Sequence, residues 1–187
     1  VKRAANFVAS WRDPDTGLMW PANEDDHANF TQGLQGAETS YLALVSAARL
    51  AKERGEQELA DEWLRRAGEL HSATMHYMAD EEHGFKDYEE SGPAAGRSWL
   101  AWPTRFLPYD NDRLRETTLS VLDRQLAKVR GERGNGLYPT KVAIGSAIAF
   151  SKEKHREKAL EIAQRLASEI ANQDTYTIGE TFVPVDE

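Results

Sequence analysis

Apolar residues recur at three- and four-residue steps through Phe30, Leu34, Ala37, Tyr41, Leu44/Val45, Ala48 and Ala51. That spacing gathers them on one face of a helical turn and predicts one long amphipathic helix over residues 31–53. Gly55 ends it. Leu59, Trp63, Ala67, Leu70, Thr74 and Tyr77/Met78 then form a second stripe, and the few residues between the two require them to run antiparallel as an αα-hairpin. Leu114, Thr118, Val121/Leu122 and Val129 mark a further helix, with Asp112 as its expected N-cap. Residues 142–150 are small and apolar on nearly every side, as in a helix covered by neighbours all round. The last helix, over 155–172, carries Leu160, Ala163, Leu166/Ala167 and Ile170 on one face and charges on the other. Alternation of an all-apolar helix with an amphipathic one is what two concentric helix layers require. The expected fold class is all-α, built of helical hairpins, with extended segments only near 85–88 and 176–184.

Between the helical stripes a polar turn, a glycine, an apolar residue and an aromatic recur: Gly17-Leu18-Met19-Trp20, then Gly84-Phe85 with Tyr88, then Gly136-Leu137-Tyr138. Such recurrence indicates repeated hairpins whose loops gather at one end. For Gly84 and Gly136 a left-handed helix cap explains the pattern as well as a ligand loop does. The Gly17 loop carries more, because Trp20 is followed by Glu24-Asp25-Asp26 and His27. A tryptophan stacks on the apolar face of a sugar ring while its N–H stays free to donate. Trp20, Trp99 and Trp102 suit that use, although Trp102 beside Pro103 equally suits packing under a loop, whereas Trp11 and Trp63 fall on helical stripes and are expected in the core.

Glycoside hydrolysis needs one protonated carboxyl group and one ionised one on opposite sides of the scissile bond. Glu24, Asp25 and Asp26 are candidates for the acid, because adjacent acids resist simultaneous ionisation and an aromatic neighbour desolvates a carboxyl group. The same run also has a plain use, complementing the dipole of the helix that follows. Glu180, between Gly179 and Thr181-Phe182 in a stretch with few other charges, is the second carboxylate candidate.

Composition narrows the partners. The 187 residues, 40% hydrophobic and 29% charged, fit a single soluble helical domain over 1–187. Thirty-one acids against 23 bases give a net charge of -8, which argues against nucleic acid and anionic membranes. No apolar run approaches the roughly 18 residues of a membrane span, and the absence of cysteine removes disulfides and thiolate metal sites. A secreted or envelope location and a cytoplasmic one are both compatible with this composition. His71 and His76, five apart, do not share a helix face as a metal pair would, so no metal is expected. The sequence holds no nucleophile elbow, phosphate loop or dinucleotide fingerprint, and no cofactor is expected. The chain starts in what reads as the middle of a helix, as a piece of a larger protein would, so the remainder of its parent is an expected partner.

Gly17-Leu18 leading into the acidic segment, then Phe30-Thr31-Gln32-Gly33-Leu34-Gln35-Gly36-Ala37 and the helix through Ala51, resembles the glucoamylase-like glycoside hydrolases (family 15 and relatives). Trp63 in its charged helix, Gly84-Phe85, Trp102-Pro103 and Gly179-Glu180 extend the resemblance across most of the chain. It implies an (α/α)6 toroid, incomplete here because six hairpins need roughly 350 residues. It also implies an inverting, exo-acting enzyme that releases glucose from α-glucosides through two glutamates. Position by position, Glu24 is the nearest match for the acid and Glu180 for the base; in the reading built on them Trp20, Trp102 and Tyr138 are the expected sugar-stacking walls and His27 and Arg105 the contacts to hydroxyls. The chain departs from the family where Pro21, not glutamate, follows Trp20 and where Thr181 follows Glu180. Two other functions remain open: a non-catalytic helical-repeat module that binds a glycan or partner peptide, and a sugar isomerase or lyase with His27 as base.

Overall fold

The structure, a computed structural model, describes residues 1–21, 23–24, 27–28, 32–81, 84–85, 99–100, 103–108, 111–114, 117, 157, 160, 164, 171–172 and 177–178. The chain divides into two compact units, Val1–Gly92 and Pro93–Glu187.

In the first unit α1 (Lys2–Ser10) is followed by a hairpin of two-residue strands, β1 (Asn23–Glu24) and β2 (His27–Ala28). Then come the long helices α2 (Leu34–Glu53) and α3 (Gln57–Tyr77) and a second small hairpin, β3 (Ala79–Asp80) with β4 (Gly84–Phe85). The chain reverses between α2 and α3 at Gly55, whose φ of 75° is the left-handed conformation that a side chain disfavours. There the Gly55 N–H donates to the Lys52 carbonyl at 3.0 Å and the Glu56 N–H to the Ala51 carbonyl at 2.9 Å. Those two bonds form a Schellman motif, which satisfies the last carbonyls of α2 and turns the chain back along it.

Alanine makes up half of the buried positions on the facing stripes. Ala47, Ala48 and Ala51 of α2 and Ala60 and Ala67 of α3 are buried with Leu44 and Trp63, and Ala5 of α1 completes the cluster. Small side chains let the helices approach closely, and Trp63 fills the volume that remains. Its Nε1–H donates to Asn6 Oδ1 at 2.9 Å, so the indole is buried without an orphaned donor and α1 is pinned across the pair. The predicted hairpin is present, with α2 starting at Leu34 because Gly33 is still extended. Trp11 departs from expectation. It lies one residue past the end of α1, where the helical stripe no longer runs, and it is 42% exposed and stacked on Phe7 at 5.3 Å.

In the second unit Leu100, Phe106, Leu107 and Leu114 are buried together with Thr104 and Thr117. The Leu107 N–H donates to the Leu100 carbonyl at 3.2 Å, and the Thr104 hydroxyl donates to the Trp99 carbonyl. The helical turn that begins at Asp112 is capped by Asn111, not by Asp112: Asn111 Oδ1 accepts the Leu114 N–H at 3.1 Å. Glu157, Leu160 and Gln164 are helical, as the stripe over 155–172 requires, but Leu160 is 53% exposed. Residues 171–172, expected at the end of that helix, instead form β5 (Ala171–Asn172), which pairs antiparallel with β6 (Thr177–Ile178). The apolar segment 142–150 lies outside the described residues. Helix predominates among the described residues and no strand exceeds two residues, which makes the fold all-α. Among those residues no helix is long and apolar enough to cross a membrane.

Because Trp63 is buried and hydrogen-bonded whereas its neighbour Leu64 is half-exposed, the two truncations should separate cleanly. Trp63→Ala is expected to destabilise the fold by about 3–5 kcal/mol and Leu64→Ala by no more than about 0.5 kcal/mol. Urea unfolding followed by circular dichroism reads both.

Candidate functional site

The turn after α1 is held by its own residues. Asp13 Oδ1 accepts the Asp15 N–H at 2.9 Å, the Gly17 N–H donates to the Asp13 carbonyl at 2.8 Å, and the Asp13 N–H donates to the Leu18 carbonyl at 2.9 Å. The Leu18 N–H donates to Thr16 Oγ1 at 3.2 Å, and Arg12 and Met19 form an antiparallel bridge. Gly17 sits at φ 76°, a conformation that favours glycine, and a Cβ there would make ordinary contact with Ala73 Cβ of α3 at 3.4 Å. Leu18 and Met19 are buried, and Met19 packs against Ala37 of α2 and Leu70 of α3. Trp20 follows immediately and is 40% exposed. The docked turn thus presents an indole at its rim.

Arg12 anchors the same turn to α3. Its largely buried guanidinium donates through Nη2 to the Arg66 carbonyl and lies 3.6 Å from Glu69 through Nη1. Burial pushes its pKa down, Glu69 opposes that, and Arg66 and Arg65 add to it. Glu69 also pairs with Arg65 and Arg66, which both reach Glu62 as well. On that solvated face the Arg65 hydrogen bond is the first cause of a lowered Glu62 pKa.

Beyond Trp20 the β1–β2 register sets Asn23 against Ala28 and Glu24 against His27, so those two candidates are cross-strand neighbours. The segment returns to the helices at Gln32, a buried residue whose Nε2 donates to Asp13 Oδ2 at 3.1 Å. Placement in β1 removes Glu24 from the helix-dipole role, since α2 begins at Leu34 with no acid in its first turn.

In the second unit Trp99 is half-buried, and Arg105 is exposed between buried Thr104 and Phe106 with a φ of 51°. That left-handed conformation is uncommon for a residue with a side chain. Glu180, Trp102, Tyr138, Asp25 and Asp26 lie outside the described residues. Among the described residues no three His, Asp or Glu side chains gather as a metal-ligand set.

Two features escaped the reading of the sequence. Glu38 is fully buried in α2, a carboxylate inside an apolar stripe. Its spacing of four from Leu34 and three from Tyr41 marks it on the stripe, and that signal was available. The Asp13–Gln32 bond, spanning 19 positions, left no local signal.

The Asp15 N–H is the first cause holding the Asp13 carboxyl below the usual carboxylate range; burial opposes it, and Gln32 and Thr16 add to it. A depressed folded pKa contributes stability that is complete above the unfolded value of about 4 and is lost as pH falls through the folded value. Asp13→Asn keeps an acceptor for Asp15 but cannot titrate. Its stability relative to the wild type should therefore rise between pH 6 and pH 3, as read from urea midpoints.

For Arg105→Gly, relief of the left-handed conformation, about 1–2 kcal/mol, is opposed by about 0.4–1 kcal/mol of added unfolded-state entropy. A net gain near 0.5 kcal/mol is expected in thermal unfolding.

No protein-family model matches the chain, and no solved structure matches it significantly. Over 122 residues, 65% of this chain, it is 28% identical to the trehalase of Mycobacterium tuberculosis. Over 116 residues, 62% of the chain, it is 26% identical to the trehalase of Mycolicibacterium smegmatis. The aligned stretch spans 17% of the length of each of those proteins. The similarity is to glycosidases of the trehalase type and does not single out the glucoamylases.

Proposed function

We propose that this chain is part of an (α/α)6-toroid glycoside hydrolase that cleaves an α-glucosidic link by single displacement, with trehalose as the first substrate to test. The observation that carries this reading is the similarity to two trehalases over nearly two thirds of the chain. The helical hairpin α2–α3, with an acid- and aromatic-bearing loop docked on it, agrees with a site of that kind.

In this reading Glu24 is the protonated carboxyl that delivers a proton to the leaving glycosidic oxygen. Glu180 is the carboxylate that takes a proton from a water attacking the anomeric carbon on the opposite face. An inverting enzyme of this type keeps its two carboxyl groups about 6.5–9.5 Å apart, leaving room for that water. Trp20, Trp102 and Tyr138 stack on sugar rings, and His27 and Arg105 hydrogen-bond hydroxyls. Glucoamylase-type release of glucose from longer α-glucans is the narrower form of the same proposal.

Proton NMR of the full-length protein with trehalose, maltose and isomaltose tests it. Inversion of trehalose gives one β- and one α-glucose at early times, whereas retention gives two α. Glu180→Gln should abolish turnover while leaving sugar binding largely intact, because the stacking walls remain. Glu24→Gln should slow trehalose cleavage far more than that of an aryl α-glucoside, whose leaving group needs no proton. Binding without cleavage would identify a helical-repeat binding module instead. An unsaturated or rearranged sugar would identify a lyase or isomerase.

A further inference from the structure

Every residue of the first unit that the proposed chemistry uses lies between Asp13 and Gln32: Trp20, and Glu24 and His27 in the β1–β2 hairpin. The two ends of this stretch are treated differently. The first end is docked: Met19 packs against Ala37 and Leu70, Gly17 abuts Ala73, and Arg12 holds the Arg66 carbonyl. The last end has one described side-chain tie, the Gln32 amide on the Asp13 carboxylate at 3.1 Å. Gln32 is buried and directly precedes the extended Gly33 that starts α2. Asp13 has divided its oxygens, Oδ1 to the Asp15 N–H that shapes the turn and Oδ2 to Gln32. One carboxylate thus joins the shape of the docked turn to the point where the chain re-enters the helices.

We propose that Asp13 and Gln32 are positioning residues: their hydrogen bond closes the base of the loop that carries Trp20, Glu24 and His27 and holds those residues in register for the sugar. The proposal rests on the glycosidase reading for what is positioned, and on geometry alone for the closure. Neither residue touches the reacting atoms. A misplacement of about 1 Å at a reacting group can reduce turnover about 100-fold, so a remote tie of this kind acts on kcat more than on the integrity of the fold.

The polarity of the bond supplies the test. In Gln32→Glu two carboxylates face each other and the tie opens at neutral pH. In Asp13→Asn the tie survives, because the introduced carboxamide still accepts from the Asp15 N–H through its oxygen, and the Gln32 amide can turn its own oxygen toward the new NH2 group. The double variant Asp13→Asn/Gln32→Glu exchanges donor and acceptor and restores the bond. Two readouts are taken on the full-length protein: amide hydrogen exchange over residues 20–32, and kcat and KM on the best α-glucoside. Gln32→Glu should speed exchange in that segment about tenfold, the lower end for a bond to a charged group, with α2 and α3 protected as in the wild type. It should lower kcat at least as strongly as it raises KM. Asp13→Asn and the double variant should each stay within about threefold of wild type on both readouts.

The proposal is overturned if the double variant is as impaired as Gln32→Glu, if Asp13→Asn is equally impaired, or if Gln32→Glu loosens the segment without changing kcat. A wild-type protein that cleaves no α-glucoside removes the glycosidase reading. The exchange pattern then decides the closure by itself, and unchanged exchange in Gln32→Glu overturns it.

Discussion

Alanines make up half of the buried positions between α2 and α3, and the turn that carries Trp20 packs on that same pair of helices. At the Trp63 end the indole fills the space that the small residues leave, and its N–H fixes α1 through Asn6. Nearer the start of α2, Ala37 and Leu70 accept Met19, while Gly17 lies beside Ala73 in a left-handed conformation that disfavours a side chain. A bulkier residue at Ala37 or Ala73 would push the turn outward and take Trp20 with it. Helix packing and loop placement are one constraint, not two.

That dependence explains which parts of the architecture were legible in the sequence. The α2–α3 hairpin was, because a three- to four-residue apolar period is a local property of the chain and because Gly55 marks its reversal. Trp63 was read into the core correctly. Trp11 was not, because the periodicity that placed it continues past the point where α1 ends. The choice between Asn111 and Asp112 as cap turned on a shift of one residue between two good capping types. The strands were harder. With two residues each they have no period, so β1, β2 and the β5 that stands at the expected end of the last helix left no signal in hydropathy.

The candidate site was legible as residue types and illegible as geometry. Tryptophan, glutamate and histidine crowded after a glycine turn indicate chemistry, but the contacts that hold the turn join distant positions. Arg12 reaches α3 across 54 positions and Asp13 reaches Gln32 across 19. Glu38 shows the opposite error. Its place on the apolar stripe was visible, yet a carboxylate at such a position is easily assigned to the solvated face, since burying a charge is costly without compensation.

Charge bears on the kind of sugar that suits the proposed site. The protein carries a net charge of -8, to which the segment after Trp20 contributes three consecutive acids. A phosphorylated or uronic sugar approaching that segment would meet repulsion, strongest at low ionic strength where screening is weak. A neutral glucoside meets none. Arg12, the cation built into this turn, is buried against α3 and held by Glu69 and the Arg66 carbonyl, so it serves the turn's attachment to α3. The excess of acid disfavours anionic ligands in general.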